Sequence, residues 1–298
     1  MTAATEHTKA DTASDGDPLV VVRDLTRIFR RPRQSFRGPV PTVTALDGVT
    51  FDIQRGERFG IVGESGSGKS TLIRIMSGLD QPTSGSILFD GKQITGRKER
   101  DLTFLREELQ FVFQDPMGSL NPRMRVRDII AEPLVARGKR NNRARVVELL
   151  QAVGLPATAA DRFPHQFSGG QRQRISIARA LAPSPKVLVA DEPVSALDVS
   201  VQAQILNLLA DLVDEYNLTL VFVSHDLAVV RRVCDTVAVL HHGDLVEHGP
   251  TEQIYTQPSQ AYTRRLIAAA PTIKKALGGV DAAALAEGMI HVGADPAD

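Results

Sequence analysis

Short, almost wholly apolar runs alternate along this chain with stretches whose apolar positions recur every three or four residues. "RFGIVG", "KVLVAD" and "LTLVFVSH" contain few polar side chains and read as strands buried on both faces. "KSTLIRIMSGL", ending at Gly78, and "VSVQAQILNLLADLVDEY" have the spacing of amphipathic helices. "PLVVVRDLTRIF" and "TALDGVTFDI" predict two more strands, and "SGSILFDGKQI" predicts a strand, a turn and a strand. "DTVAVLHHGDLVEHG" predicts a hairpin turning at Gly243-Asp244. Buried strands separated by helices predict an α/β core with a parallel sheet.

The pattern changes between about Asp115 and Leu181, where it is mainly helical and reads as an inserted subdomain. Pro116, Pro122, Pro133, Pro156 and Pro164 are expected to break it into short pieces. Residues 1–17 are polar and acidic-leaning, carry no apolar run of a signal peptide, and are expected to be disordered. After about Gln260 the chain is alanine-rich and expected to be helical or irregular.

Composition narrows the classes. With 298 residues, 42% of them hydrophobic, the chain can build one large domain or two modest ones. Its formal net charge of zero gives no electrostatic case for nucleic acid as the main partner. The single cysteine, Cys234, excludes an internal disulfide framework and a multi-cysteine metal site, and reads as a buried structural thiol. No run of about 18 apolar residues occurs, so the chain is not expected to span a membrane by itself. Five arginines between Arg27 and Arg37 read as a solvated hairpin insertion, with phosphate or lipid contact as the alternative.

The sharpest chemistry follows "RFGIV". Gly63, Glu64, Ser65, Gly66, Ser67, Gly68, Lys69 and Ser70 fit the P-loop pattern G-x-x-x-x-G-K-[ST], with Thr71 next, between an expected strand and an expected helix. Such glycines let backbone N–H groups approach phosphate oxygens, and the helix adds the positive end of its dipole. Lys69 is then expected on the β- and γ-phosphates of a nucleoside triphosphate and the Ser70 hydroxyl on Mg²⁺. At the end of "KVLVAD", Asp191 is placed to hold hydrated Mg²⁺ and Glu192 to polarise a water for attack on the γ-phosphate. In "QFSGGQRQR", Ser168 is a plausible N-cap, and Gly169 and Gly170 open a helix that makes a second anion site. Two phosphate grips about a hundred residues apart suggest that two chains share each nucleotide.

Residues 18–270 resemble the ATP-binding subunit of an ABC transporter: the P-loop as Walker A, "VLVADE" as Walker B, and "FSGGQ" through Gln171 as the signature, with Phe167 in place of leucine. The resemblance implies ATP as ligand and an α/β P-loop NTPase cassette: a RecA-like parallel-sheet core, an antiparallel β subdomain and an inserted helical subdomain at about 115–181. It assigns Gln114 in "VFQDP" to the Q-loop, contacting Mg²⁺ and sensing the γ-phosphate; Asp198 in "SALD" to a loop crossing the dimer interface; and His225 to the switch histidine on the γ-phosphate. Phe29 in "TRIFRR" takes the place of the aromatic that stacks on adenine, where the family more often has tyrosine.

"FQDPMGSLNPRMRVRDIIAEPL", "DEPVSALDVSVQAQILNLL" and "QPSQAYTRRLIAAAP" are similar to the ATPases of dipeptide and oligopeptide importers, which have nickel-importing relatives. That likeness implies a peripheral protein on the cytoplasmic face of the membrane. Its partners would be a second ATPase (a paralogue or another copy), two transmembrane permease subunits and, indirectly, an extracytoplasmic substrate-binding protein. Residues 18–260 would form the ATPase domain and 261–298 a peptide-importer extension. Met117, Leu120, Met124, Val126 and Ile129, just after Gln114, are expected to contribute to the cleft that receives the permease. Two alternatives are weaker. Soluble ABC-type ATPases of DNA repair or translation generally carry two cassettes or a long coiled coil, and neither pattern occurs here. A non-catalytic cassette would be expected to lack Lys69, Glu192 or His225, and all three are present.

Overall fold

A computed structural model describes residues 16–30, 41–139 and 142–269. The expected disordered tail, most of the arginine stretch and the end of the C-terminal extension lie outside the described residues. The chain opens with β1 (Val20–Arg30), β2 (Thr42–Ile53) and β3 (Arg58–Val62), then α1 (Lys69–Met76), β4 (Ser84–Phe89) and β5 (Lys92–Gln93). After a 3₁₀ turn come α2 (Thr103–Glu108), β6 (Leu109–Val112), α3 (Pro116–Ser119), α4 (Val126–Val135), α5 (Arg143–Ala152) and α6 (Gly169–Leu181). The last part alternates: β7 (Val187–Asp191), α7 (Val199–Glu215), β8 (Thr219–Ser224), α8 (Leu227–Val233), β9 (Thr236–His241), β10 (Asp244–Pro250), α9 (Thr251–Thr256) and α10 (Ala261–Ala269).

Two sheets result. One is antiparallel, in the order β2-β1-β4-β5. The other runs β10-β9-β3-β8-β7-β6, parallel except for β10 at its edge. The apolar runs form the middle of this second sheet because both of their faces are covered. Phe59 and Ile61 of β3 point into a core shared with the antiparallel sheet and α1. Val62 points into a second core, with Leu188, Leu220 and Phe222 and the helices that follow β6. The P-loop strand thus lies in an α/β sheet with the later helices on one side and the antiparallel sheet, α1 and α2 on the other.

Three local expectations change. The β9–β10 turn is centred one residue earlier than read, on His242 and Gly243, whose φ values of 50° and 94° suit a two-residue hairpin turn; Asp244 already belongs to β10. Pro133 lies inside α4 rather than ending it, two residues before the C-terminal Val135. The segment from Glu99 to Val112, which the pattern left unassigned, forms the 3₁₀ turn, α2 and the edge strand β6. Cys234 is buried, and burial pushes its thiol up, as a structural role requires.

An ion cluster ties the two sheets together. Asp90, in the β4–β5 turn, accepts hydrogen bonds from Arg55 and, at 2.7 Å, from Lys186, which also pairs with Glu108 at 3.0 Å. The Lys186 bond, helped by Arg55 and opposed by burial, holds Asp90 below the usual carboxylate range. A carboxylate whose pKa falls on folding stabilises the fold fully above its unfolded value of about 3.9, and that contribution disappears as pH drops through the folded value. Asp90→Asn should therefore lower the melting temperature at neutral pH, and its gap from the parent should narrow as the pH falls below the unfolded value of about 3.9. Thermal melts across that range check it; a gap independent of pH would show that Asp90's charge is not what matters.

Candidate functional site

The P-loop leaves β3, the strand between β8 and β9, and runs straight into α1. Its two outer glycines are demanded by space. A Cβ on Gly63 would collide with the Leu240 carbonyl, and one on Gly68 with the Ala45 carbonyl. Gly68 also has φ 108°, a conformation that side-chain-bearing residues avoid. The loop is braced from the β9–β10 turn, where the Gly243 N–H donates to the Ser67 carbonyl at 3.0 Å. Lys69 is 6% exposed, and its ammonium donates to the Gly63 carbonyl at 2.6 Å and the Glu64 carbonyl at 3.0 Å. Burial lowers its pKa, while the charges of Glu192 and Asp191 oppose that shift.

β7 and β8 are neighbours, and their C-terminal ends deliver the acidic pair and the histidine. Asp191 is the last residue of β7; burial raises its pKa, Glu192 adds to the rise and Lys69 counters it. Glu192 leaves the strand with φ 45°, strained for a residue with a side chain, and its N–H is fixed by the Val223 carbonyl at 3.0 Å. Its Oε2 lies 3.3 Å from His225 Nδ1 and accepts from Gln114 Nε2 at 3.4 Å. One carboxylate oxygen therefore serves two side chains brought from β8 and from the loop after β6.

These groups border a cleft of about 650 Å³ lined by Glu64, Ser65, Ser70, Gln114, Glu192 and His225. Asp191 lines an adjoining hollow together with Gln114. A Ser70 hydroxyl, a Gln114 amide oxygen and an Asp191 carboxylate are hard oxygen donors, the set that suits Mg²⁺.

The remaining expected residues lie elsewhere. Ser168 caps α6 in a reciprocal box, its hydroxyl accepting from the Gln171 N–H at 3.3 Å and its own N–H donating to Gln171 Oε1 at 3.1 Å. Gly169 and Gly170 face Leu197 and Val201, which puts the signature beside the start of α7. Asp198 caps α7 by accepting from the Val201 N–H at 3.0 Å; that bond depresses its pKa. Val199, next to it, is 82% exposed. Phe29 stands on β1, partly exposed, with the Arg27 guanidinium 4.4 Å from its ring centre. Arg27 itself bonds Asp80 at 2.9 Å.

The expected permease cleft fails at three of its five residues. Leu120, Val126 and Ile129 are buried in the core of the helical segment, Leu120 at 2%, and Met124 packs partly buried against it. Leu120, Val126 and Ile129 therefore cannot offer a docking surface; the side chain of Met117 lies outside the described residues. Among the described residues, the large exposed apolar side chain beside Gln114 is Phe113, 42% exposed and stacked on Phe111.

Sequence reasoning also missed part of the cleft wall. Asp226, the N-cap of α8, and Leu266 and Ala269 of α10 line the cleft, and Tyr262 touches the P-loop backbone. Only the similarity of the "QPSQAYTRRLIAAAP" tail to importer ATPases marked that region, and it said nothing of where the tail packs.

Known proteins resemble this chain over most of its length. The domain family described as ABC transporter matches residues 46–195. The oligopeptide transport ATP-binding protein AppF of Bacillus subtilis is 46% identical over 268 residues, 89% of this chain and 82% of its own length. The di/tripeptide transport ATP-binding protein DppF of Pseudomonas aeruginosa is 46% identical over 260 residues, 86% and 80% of the two chains. Among solved structures, a dimeric post-hydrolysis form of the ATP-binding cassette MJ0796, bound to ADP and Pi, superposes with a TM-score of 0.67 at 32% identity, covering 78% of this chain and 98% of that one.

Proposed function

The chain belongs to the ABC transporter family, and from that premise we propose that it is the ATP-hydrolysing subunit of an importer of di- or oligopeptides. The observation that carries the reading is the convergence of the P-loop, Gln114, Glu192 and His225 on one cleft. Names of relatives alone would not place catalytic groups; this geometry supports them.

The roles follow from the groups. P-loop N–H groups and Lys69 take the phosphates. Ser70, Gln114 and Asp191 would hold Mg²⁺, which when bound neutralises charge on the phosphate oxygens. Glu192 accepts a proton from the attacking water, and Gln114 and His225, each within bonding reach of its Oε2, orient that carboxylate. Phe29 supports adenine by stacking, with Arg27 covering one face of its ring. Ser168, Gly169, Gly170 and Gln171 of one cassette face the nucleotide of a second, and exposed Val199 beside Asp198 lies on the surface that meets it.

In this reading residues 18–260 form the ATPase domain, 115–181 its helical subdomain and 261–298 the importer-type extension. The subunit sits under two permease subunits at the cytoplasmic face of the membrane, and a binding protein outside delivers the cargo. The test is reconstitution with its permease subunits, a second ATPase subunit and a peptide-binding protein. Peptide should stimulate ATP hydrolysis severalfold, nickel should not, and Phe113→Asp should abolish the stimulation while ATP binding persists. Stimulation by nickel alone would change the cargo; full stimulation in the Phe113 variant would move the docking site.

A further inference from the structure

The Gly63–Glu64 peptide group at the mouth of the P-loop is gripped at both ends. Its carbonyl accepts from the Lys69 ammonium at 2.6 Å, and its N–H donates to the Tyr262 hydroxyl at 3.0 Å. A peptide is planar, so fixing the N–H fixes the direction of the carbonyl. The second carbonyl on Lys69, that of Glu64, follows in the next peptide at 3.0 Å. Tyr262 thus bears on the catalytic lysine without touching it, from a helix 198 residues further along the chain.

That helix is anchored independently of the hydroxyl. The Tyr262 ring lies against His241, centroids 3.9 Å apart, at the end of β9. On β10, Glu247 accepts from the Ser259 N–H at 2.8 Å, the Ser259 hydroxyl at 2.9 Å and the Gln260 N–H at 3.3 Å, fixing the turn that leads into α10. Tyr262 and Leu266 are buried, and Leu266 also lines the nucleotide cleft.

We propose that Tyr262 is a positioning residue of the ATPase reaction, holding Lys69's carbonyl cage through the Gly63–Glu64 peptide so that α10 keeps the phosphate cradle ordered before ATP arrives. A cradle ordered in advance spares ATP the cost of ordering it, so loss of the bond shows as weaker nucleotide binding. Lys69 holds the same phosphates before and during reaction, so the loss falls on KM rather than kcat. The inference rests on the reading of the P-loop as an ATP site.

The experiment is Tyr262→Phe in the full-length chain, which keeps the ring on His241 and removes one hydrogen bond. ATP Kd and KM should rise roughly 3- to 10-fold, the range for one such bond. The kcat at saturating ATP should stay within about twofold, and the melting temperature without nucleotide within about 2 °C. Unchanged or tighter ATP binding overturns the proposal. If Tyr262→Phe does lower the nucleotide-free melting temperature, Glu247→Ala replaces it, since it frees the entry to α10 and leaves the hydroxyl in place. It must raise KM with kcat retained, and an unchanged KM overturns the proposal equally. Undiminished ATP binding by Lys69→Ala would instead remove the ATP-site reading itself, so the two failures are distinct.

Discussion

Lys69→Ala is expected to weaken ATP binding at least about 100-fold while the chain stays folded. The ammonium is nearly buried, already desolvated, and held by two loop carbonyls at the N-terminus of α1. Hydrogen bonds from a charged donor contribute about 1.5–3 kcal/mol each, so losing two of them on phosphate oxygens accounts for the fall. Folding should tolerate the change, because removing a desolvated charge offsets much of the loss of its two loop bonds. Titration calorimetry with ATP, on protein that keeps its circular dichroism spectrum, reads the result. Parent-like affinity would show that this loop does not grip phosphate.

Glu192→Gln should keep ATP binding and slow hydrolysis by at least about 100-fold, the lower end of what a positioned general base contributes. The amide keeps the shape of the carboxylate and an oxygen for Gln114, so the site stays assembled while the proton acceptor is gone. A second signature accompanies it. Asp191 has a raised pKa, first through burial and next through the Glu192 charge, so neutralising Glu192 should bring Asp191 back toward its usual range. Single-turnover hydrolysis measures the first effect and carboxylate titration by NMR the second. Near-parent turnover would pass the base role to His225, 3.3 Å away.

What the amino-acid pattern revealed, and what it hid, follows from how far each signal travels along the chain. β3, β7 and β8 were legible because strands covered on both faces must be apolar throughout. The P-loop was legible because only glycine fits where Leu240 and Ala45 carbonyls press on it. The stretch from Glu99 to Val112 was not, because its helix is six residues long and β6 is a four-residue edge strand. Neither is long enough to show a period. Leu120 shows a different limit: an apolar residue suits a core and a docking surface equally, and only the packing of the helical segment decides between them. Tyr262 shows a third, since its hydroxyl acquires meaning only when the chain end is folded back onto Glu64.

The pairing of β3 also dictates when the nucleotide cradle can exist during synthesis. Its partners are β8 and β9, with Arg58 opposite Leu220 and Phe59 opposite Thr236, and the brace on Ser67 comes from Gly243. A ribosome adds about 5–20 residues each second, so the P-loop segment waits roughly ten seconds or more before the strands that shape it are made. Its apolar stem spends that time unpaired, and contacts so distant in sequence form slowly. ATP therefore cannot template this fold from the N-terminal half. The nucleotide can bind only a nearly finished chain, because a nascent fragment ending before β9 leaves β3 without one of its two native neighbours.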